Sequence, residues 1–318
     1  MSDNHLAFIF PAFTSDYTNH PGQQIPGFAT HFQSMLQTAA KQVDPSLADF
    51  TFNGNTFLDD ELRTQYITYS YSCAASSLLR KYGITPIMNV GYSMGIYASL
   101  FDAGSVSFET GLELIRLAYR SLMMAIGSRS FGMGSLIGLS GRDIHHLIDQ
   151  ADLQIEITNQ NAAHSFVVSG YHHDIMKLME LAKVEGALHT RDLKVSIPYH
   201  SSYLKEGAMH FAREISHLEV KHPGNQLISL IDQTFLTSPE IIRQELINNL
   251  FYALNWFRTK QVMLERRISV FVECGPSKGL VKNSKFVEGD FLFYSLGSLP
   301  LNPGEVIPKN DNQGAIRS

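Results

Sequence analysis

The segment that most constrains this chain is an apolar run that passes through a glycine-flanked serine into a helical pattern. Residues 84–90 are apolar and rich in β-formers, Gly91-Tyr92-Ser93-Met94-Gly95 follows directly, and helix-period residues continue from position 97. A serine on so tight a turn leaves no room for a neighbouring Cβ, so both flanking positions have to be glycine. The pattern predicts an α/β fold in which Ser93 is an exposed nucleophile at the head of a helix.

The start of that helix supplies the groups that nucleophilic chemistry needs. Its first backbone N–H groups have no partner within the helix, and the helix dipole adds a positive partial charge. The amide of Met94 can therefore stabilise an oxyanion when Ser93 attacks a thioester carbonyl. Because the G-x-S-x-G pattern also occurs in glycine-rich turns without function, the prediction depends on the strand before it and the helix after it.

A serine nucleophile requires a base, and the chain contains 13 histidines. Several, including His145, His146, His172 and His173, lie in polar helical or turn segments that are typical of solvated surface. His200 differs because it follows a strand-like run at 193–197 and Pro198, and the carboxyl ends of strands are where α/β sheets gather their sites. A histidine in this position can also be purely structural, and no aspartate follows it at a spacing that predicts a complete triad.

Composition excludes several classes of protein. A net charge of −5 gives no general basic field, so nucleic acid is not expected as the main partner. The apolar run at 6–10 is too short for a signal-peptide core, and no stretch reaches the 18 or so apolar residues of a membrane span. The only cysteines, Cys73 and Cys274, are too far apart for a metal-ligand pair or a disulfide framework. We expect a soluble, cytoplasmic monomer that does not bind a membrane.

The order of patterns predicts two subdomains. Residues 1–126 and 198–300 alternate strand and helix patterns, which indicates a discontinuous α/β-hydrolase-like catalytic subdomain with a parallel sheet. Residues 127–197 read β-α-β-β-α-β, which predicts an inserted ferredoxin-like subdomain. Residues 301–318 are rich in Pro, Asn and Gly and are predicted to be a surface tail.

The element predictions are specific enough to be compared with a structure. In the larger subdomain we expect strands at 6–10, 84–90, 226–230 and 269–273, and helices at 27–43, 59–82, 97–103, 108–125, 203–217, 239–251 and 256–265. In the inserted subdomain we expect strands at 132–139, 154–158, 165–169 and 187–196, and helices at 143–150 and 173–185.

Five tracts, in order along nearly the whole chain, resemble the malonyl-CoA:acyl-carrier-protein transacylase family, which also supplies acyltransferase domains of polyketide synthases. They are residues 8–14 for the first strand and oxyanion loop, 91–96 for the GHSxGE elbow, Pro198-Tyr199-His200, Asn255-Trp256, and Glu273-Cys274-Gly275-Pro276. The inserted ferredoxin-like subdomain is also the arrangement of this family.

The resemblance implies ping-pong acyl transfer through an acyl-Ser93 ester, with His200 as the base. It implies an oxyanion hole from the amides of Met94 and Phe13, and a main-chain carbonyl, here from Asn255, that orients His200 in place of an acid. The implied substrate pocket consists of Tyr92, Ala118, Ala12 and Asn161. Coenzyme A and phosphopantetheine thioesters would be substrates, an acyl carrier protein and acyl-CoA would be the partners, and no bound metal or redox cofactor is implied.

The sequence departs from the family's pattern at the substrate carboxylate. Malonyl-selective members carry an arginine on the second helix after the elbow, and ungapped counting from Ser93 assigns that position to Ala118. Arg116 and Arg120 lie two residues to either side, so they point to other faces of a helix, although a shift in register would bring in Arg120. A carboxylate left unpaired in a desolvated pocket costs several kcal/mol. The acyl group is therefore predicted not to be malonyl.

Other departures are consistent with a less polar pocket. The family's GQGSQ loop reads Ala12-Phe13-Thr14-Ser15-Asp16, the elbow's histidine is Tyr92, and its acid is Ile96. A divergent malonyl enzyme is the alternative interpretation of these changes.

Three functions remain open at this point. The first is transfer of a non-malonyl or relaxed acyl group between coenzyme A and a carrier protein, in fatty-acid-like or polyketide biosynthesis. The second is hydrolysis of acyl chains from carrier proteins, as in trans-acyltransferase polyketide systems, and the third is non-catalytic docking. Because carrier proteins are acidic, basic residues near the site would dock them. The candidates are Arg258, Lys260, Lys278 and Lys282.

Overall fold

The computed structural model describes residues 5–14, 17, 20–52, 60–284, 291–302 and 306, with the side chains of 283 and 284 excepted. Ser15 and Asp16 of the loop compared above lie outside the described residues. The same holds for 303–305 and 307–318, which are most of the predicted tail.

The described chain contains ten strands and ten α-helices. The strands are β1 (Leu6–Phe10), β2 (Met88–Gly91), β3 (Phe131–Ile137), β4 (Ile155–Ala162), β5 (Ser165–Tyr171), β6 (His189–Asp192), β7 (Gln226–Leu227), β8 (Leu254–Asn255), β9 (Val270–Glu273) and β10 (Leu292–Ser295). The α-helices are α1 (Phe28–Gln42), α2 (Glu61–Lys81), α3 (Gly95–Asp102), α4 (Phe108–Ile126), α5 (Gly141–Gln150), α6 (His172–Val184), α7 (Lys205–Glu214), α8 (Pro239–Asn248), α9 (Trp256–Glu265) and α10 (Gly279–Ser284).

The larger subdomain is built on a five-stranded sheet in the order β10-β9-β1-β2-β7, and every pair of neighbours is parallel. All five residues of β1 are buried, as expected for a central strand covered by helices on both faces. The α/β fold with a parallel sheet is therefore confirmed. Strand β10 and the two-residue strand β8 were not predicted, because runs so short and mixed carry little periodicity.

The second sheet has the order β6-β3-β5-β4-β8. Strands β3 to β6 pair antiparallel, and α5 and α6 lie between them in sequence, so this part has the β-α-β-β-α-β order of a ferredoxin-like unit. Strand β8, which lies far along the chain, pairs parallel to β4. That pairing joins the inserted unit to the larger subdomain. The predicted strand at 187–196 is shorter in the structure, where it covers only His189–Asp192.

Helix α4 carries position 118 and has well-defined ends. The Ser107 side chain accepts a hydrogen bond of 3.0 Å from the Thr110 amide and caps the N-terminus. Gly127, with φ 57°, ends the helix in a left-handed conformation that suits glycine. The apolar face of this helix packs into the large core and includes Leu114, Ala118 and Leu122.

The predicted tail is not wholly at the surface. Val306 is 1% exposed and lies in the large hydrophobic core, and Leu301 packs against the same core. An apolar side chain gains about 1.5–3 kcal/mol when it is fully buried, which outweighs the polar composition around it. Among the described residues, no helix combines the length and the apolar character that crossing a bilayer requires.

Candidate active site

The turn between β2 and α3 places Ser93 on a nucleophile elbow. Strand β2 ends at Gly91, helix α3 begins at Gly95, and Ser93 between them has φ 56°, in the left-handed region. A Cβ built on Gly91 would lie 2.3 Å from the Ile96 Cα, and one on Gly95 would lie 2.1 Å from the Phe10 carbonyl oxygen. Both glycines are therefore required by close backbone approach, and the strained serine points out of the turn.

His200 lies opposite the serine. Its Nε2 is 2.8 Å from the Ser93 Oγ, a hydrogen-bond distance. His200 also has a left-handed φ, 62°, and its amide donates to the Leu250 carbonyl at 3.0 Å. The ring is 3% exposed, so the protein fixes it and water reaches it only through the site.

Asn249, not Asn255, supplies the carbonyl that orients the histidine. The His200 Nδ1 is 2.6 Å from the Asn249 carbonyl oxygen, and the Asn249 side-chain amide donates to the Ser93 carbonyl at 3.3 Å. Asn249 follows the last residue of α8, where carbonyl groups lack partners within the helix. The prediction of Asn255 was wrong because this asparagine caps α9, accepting a hydrogen bond of 2.8 Å from the Arg258 amide.

The hydrogen bonds fix the protonation of the imidazole. A carbonyl can only accept, so Nδ1 carries the proton and Nε2 is left to accept from the Ser93 hydroxyl. Burial lowers the pKa of His200 to about 4, and the bond to the Asn249 carbonyl opposes that shift in part. The ring is therefore neutral near pH 7 and ready to take a proton from the serine.

The two predicted oxyanion residues both lie next to Ser93. Phe13, in the loop after β1, and Met94, at the head of α3, line the same small cavity as Ser93 and His200. Among the hydrogen bonds of the described residues, neither the Phe13 nor the Met94 amide donates to a protein acceptor. Both N–H groups are thus free to bind an oxyanion.

Two cavities meet at Ser93 and His200. A cleft of about 1140 Å³ reaches Ser93 from the surface between the two subdomains, and Ala12, Tyr92, Arg191 and Lys194 are among its lining residues. On the other side of the serine, a small space of about 20 Å³ extends towards α4; we call it the acyl pocket. It is lined by Phe13, Gln65, Ser93, Met94, Tyr97, Ala118, Tyr119, Leu122, Tyr199, His200, Asn249 and Leu250. Its free volume is about that of one water molecule.

No cationic side chain lines the acyl pocket. Ala118 is 5% exposed and faces it, whereas Arg120 is exposed on α4 and Arg116 pairs with Glu113 at 2.6 Å. Ala118 thus lies at the pocket, and neither Arg116 nor Arg120 places a guanidinium there.

Tyr92 and Asn161 form part of a polar bridge between the subdomains. The Tyr92 hydroxyl donates to Asn161 Oδ1 at 2.8 Å and accepts from Asn159 Nδ2 at 3.0 Å. Tyr92 and Ala12 line the cleft, as expected of pocket residues. Asn161 does not line the cleft or the acyl pocket, so its predicted contact with substrate is replaced by a bond that holds the elbow to β4.

Lys260 cannot dock a partner as predicted. It is 0% exposed, its Nζ donates to the Asn161 carbonyl at 3.1 Å and lies 5.5 Å from the centre of the Trp256 ring, and burial lowers its pKa to about 8. Lys278 and Lys282 are exposed, and Arg258 is exposed with an ion pair to Glu265 at 3.1 Å. Sequence alone did not separate the buried lysine from its exposed neighbours, although its i,i+4 spacing from Trp256 puts it on the same helix face.

A parallel α/β sheet that carries a serine on a nucleophile elbow, opposite a buried histidine, is the arrangement of the α/β-hydrolase-like serine proteins. Two further features distinguish this chain within that class. A main-chain carbonyl orients the histidine, and the fold contains a ferredoxin-like insertion.

Comparison with known proteins narrows it further. The chain is 24% identical over 287 residues to the malonyl CoA-acyl carrier protein transacylase of Bacillus subtilis, covering 87% of this chain and 89% of the relative. The structure of the malonyl CoA-acyl carrier protein transacylase from Coxiella burnetii matches with a TM-score of 0.82 and 25% identity, over 95% of this chain and 96% of that one. A type II polyketide synthase acyl-carrier protein in complex with its malonyl-transacylase matches at TM-score 0.82 and 20% identity, over 95% and 98%. No family model matches the chain.

These similarities extend over nearly the whole length of both partners in each comparison. The chain is therefore similar, in sequence and in fold, to malonyl CoA-acyl carrier protein transacylases.

Proposed function

We propose that this protein moves an acyl group between coenzyme A and an acyl carrier protein through an acyl-Ser93 ester, and that the acyl group is not malonyl. The observation that carries the proposal is the 2.8 Å contact of Ser93 Oγ with His200 Nε2, at the junction of an open cleft and a small pocket without a cation. Homologues named as malonyl CoA-acyl carrier protein transacylases support the reaction class.

The first half-reaction loads the serine. His200 Nε2 accepts the hydroxyl proton while Ser93 Oγ bonds to the thioester carbonyl carbon, and the Met94 and Phe13 amides bind the resulting oxyanion. The carbon–sulfur bond then breaks, the imidazolium returns its proton to the thiolate, and coenzyme A leaves. The Asn249 carbonyl stabilises the imidazolium through the Nδ1–H in the role that an aspartate has in a triad.

The second half-reaction empties the serine. A phosphopantetheine thiol of a carrier protein gives its proton to His200 Nε2 and attacks the ester carbonyl, after which Ser93 leaves and takes the proton back. The cleft of about 1140 Å³ is large enough for a pantetheine arm, since ligand pockets of about 300–1,000 Å³ hold drug-sized molecules. Arg191 and Lys194 at this cleft, with the exposed Lys278 and Lys282, are the basic groups we assign to an acidic partner.

The proposed acyl group is inferred from the lining of the acyl pocket, which includes no arginine among the described residues. A malonyl carboxylate bound beside Ser93 would meet Ala118, Leu122 and aromatic rings with no arginine to pair with it. Neutral, compact acyl groups such as acetyl avoid that penalty.

Mass spectrometry of the intact protein tests the proposal. After incubation with a panel of acyl-CoAs we expect a covalent mass increase on Ser93 for uncharged acyl groups, absent in Ser93→Ala, and its transfer to a phosphopantetheinylated carrier protein. A panel that leaves the wild-type mass unchanged contradicts the proposal, and preferential loading by malonyl-CoA contradicts its substrate part.

Hydrolysis of acyl-carrier thioesters is the second candidate. The observation that favours it is the open, partly polar cleft, which gives water access to an acyl-Ser93 ester. Timed product analysis separates the two functions: release of free acid from an acyl-carrier thioester faster than formation of acyl-CoA or a new acyl-carrier species favours hydrolysis.

A further inference from the structure

A half-buried carboxyl group lies beside the wall of the acyl pocket. Glu61 is the first residue of α2, and its Oε1 accepts a hydrogen bond of 2.5 Å from the Tyr199 hydroxyl. Its Oε2 accepts from the amide and the hydroxyl of Ser196, both at 3.3 Å. The group is thus held in one place by the segment that leads to His200.

The same tyrosine connects this carboxyl group to the pocket. Tyr199 lines both the acyl pocket and the cleft, and its hydroxyl accepts from Gln65 Nε2 at 2.9 Å. Gln65 lines the acyl pocket and Glu61 lines the cleft, one helical turn apart on α2. The carboxylate is therefore one hydrogen bond from a side chain that touches the acyl space.

Within the part of the chain that the structure describes, no cationic side chain forms an ion pair with Glu61. Arg191 and Lys194 line the same cleft, but among the described residues neither forms an ion pair with it. Asp60 beside it is a second acid, and burial is the main cause of the raised pKa of Glu61. The charge of Glu61 also affects a residue that lines the pocket. The pKa of Tyr119 is raised, first by burial and next by the nearby Glu61 carboxylate.

The inference rests on the proposed acyl transfer and deepens it. We propose that Glu61 is a specificity-determining residue whose negative charge, held beside the acyl pocket by hydrogen bonds from Tyr199 and Ser196, acts through space to disfavour acyl groups that carry a negative charge. Where a malonyl-selective site needs a cation to attract the substrate carboxylate, this site holds an anion that repels it. Two like charges at a partly desolvated site repel each other more strongly than they do in bulk water, so a single carboxylate can decide between a charged and an uncharged substrate.

The experiment compares loading of Ser93 by malonyl-CoA and acetyl-CoA at pH 8, so that the alkaline pH favours the carboxylate form of Glu61. Glu61→Gln keeps an oxygen for Tyr199 and removes the charge. We expect the malonyl-to-acetyl ratio of loading rates to rise on the order of tenfold, because removal of a like charge from a partly desolvated site favours the charged substrate. Asp60→Asn is the matched control, since Asp60 also lines the cleft and is the N-cap residue of α2, a role that asparagine fills as well as aspartate does. Its ratio should change less than about twofold at ordinary ionic strength, because an exposed charge is screened.

A second variant separates charge from shape. Tyr199→Phe removes the hydroxyl and leaves the carboxylate, so the discrimination against malonyl should persist even if both rates fall. A ratio that rises as much in Tyr199→Phe as in Glu61→Gln, or that stays constant in Glu61→Gln while the protein keeps its thermal stability, overturns the role of Glu61. Acetyl loading by the wild-type protein reports on the proposed function separately, and failure of the wild-type protein to load either group overturns both.

Discussion

The catalytic pair and the acyl pocket lie side by side, yet different parts of the chain hold them. Main-chain geometry positions the pair: Ser93 and His200 both have left-handed φ angles, and main-chain carbonyls accept from the His200 amide and from its ring. Side chains from α2, α3 and α4, such as Gln65, Tyr97 and Ala118, form the pocket. Substitutions can therefore change what the pocket accepts while the serine and histidine keep their places.

The largest effect is expected on the catalytic side. His200→Ala removes the base that accepts the Ser93 proton, and we expect the rate of Ser93 acylation to fall by at least about 10³-fold. Stopped-flow or quenched mass measurements of acyl-enzyme formation give this rate. His173→Ala, at an exposed site, is the control and should load normally. Acylation within about tenfold of wild type in His200→Ala would mean that another group is the base.

The pH dependence of acylation tests the same half of the site. Burial lowers the pKa of His200 to about 4, so the acylation rate should stay level from pH 8 down to about 5 and fall about tenfold per pH unit below 4. The sign for stability follows from the same shift. The native pKa lies below the ordinary value of about 6.5, so the contribution of neutral His200 is complete above that pH and is lost as the pH falls towards 4. An inflection of the acylation rate near pH 6.5 would show that water reaches the ring.

The next largest effect on stability and acylation is expected from a substitution in the closely packed nucleophile elbow. Gly95→Ala forces a Cβ against the Phe10 carbonyl oxygen, and we expect a loss of about 1–3 kcal/mol in the free energy of unfolding together with slower acylation. Chemical denaturation measures the loss. In the control, Gly141→Ala, the added Cβ lies 3.4 Å from the Phe166 ring and sits on helix α5, so the stability should be unchanged or slightly higher. Equal losses of stability in both variants would contradict the claim that close approach of the Phe10 carbonyl requires glycine at position 95.

On the pocket side, Ala118→Arg introduces the missing cation. Although the free volume of about 20 Å³ forces the pocket to expand and lowers all rates, the malonyl-to-acetyl ratio of Ser93 loading should rise at least about tenfold. Ala118→Met adds similar bulk without charge and controls for the expansion. A constant ratio in Ala118→Arg, with Ala118→Met equally slow, would show that position 118 does not meet the acyl carboxylate.

The two halves also differ in how far the sequence reveals them. The elbow is predicted from local rules, because the strand, the two glycines and the helix all lie between Met88 and Asp102 and the glycines have a steric reason. Ala118 is found by counting residues from Ser93 along the chain without a gap. The hydrogen-bonded group of Glu61, Ser196 and Tyr199 joins residues more than 130 positions apart, and no local pattern announces such a contact.

The sequence also does not predict which polar residues are buried. Lys260 lies in a helix with charged neighbours and is typical of a surface lysine, yet it is fully buried because β4 and the Trp256 ring cover it. Lysine is rarely buried without a partner, so its position depends on the tertiary contact with the Asn161 carbonyl. Val306 is the opposite case. It belongs to a polar segment that was predicted to lie at the surface, yet its side chain packs in the hydrophobic core.

The smallest effect concerns the residue that orients the histidine. Asn255→Ala removes the cap of α9 and should cost about 1 kcal/mol of stability, with little change in the acylation rate, because the bond to His200 Nδ1 comes from the Asn249 carbonyl. Asn249→Ala keeps that main-chain carbonyl and loses only the side-chain bond of 3.3 Å to the Ser93 carbonyl, so we expect a modest fall in acylation, up to about tenfold. Thermal unfolding and acylation rates of the two variants distinguish these roles. A large loss of acylation in Asn255→Ala at normal stability would mean that the histidine depends on β8, and the division between a main-chain catalytic half and a side-chain pocket would then fail.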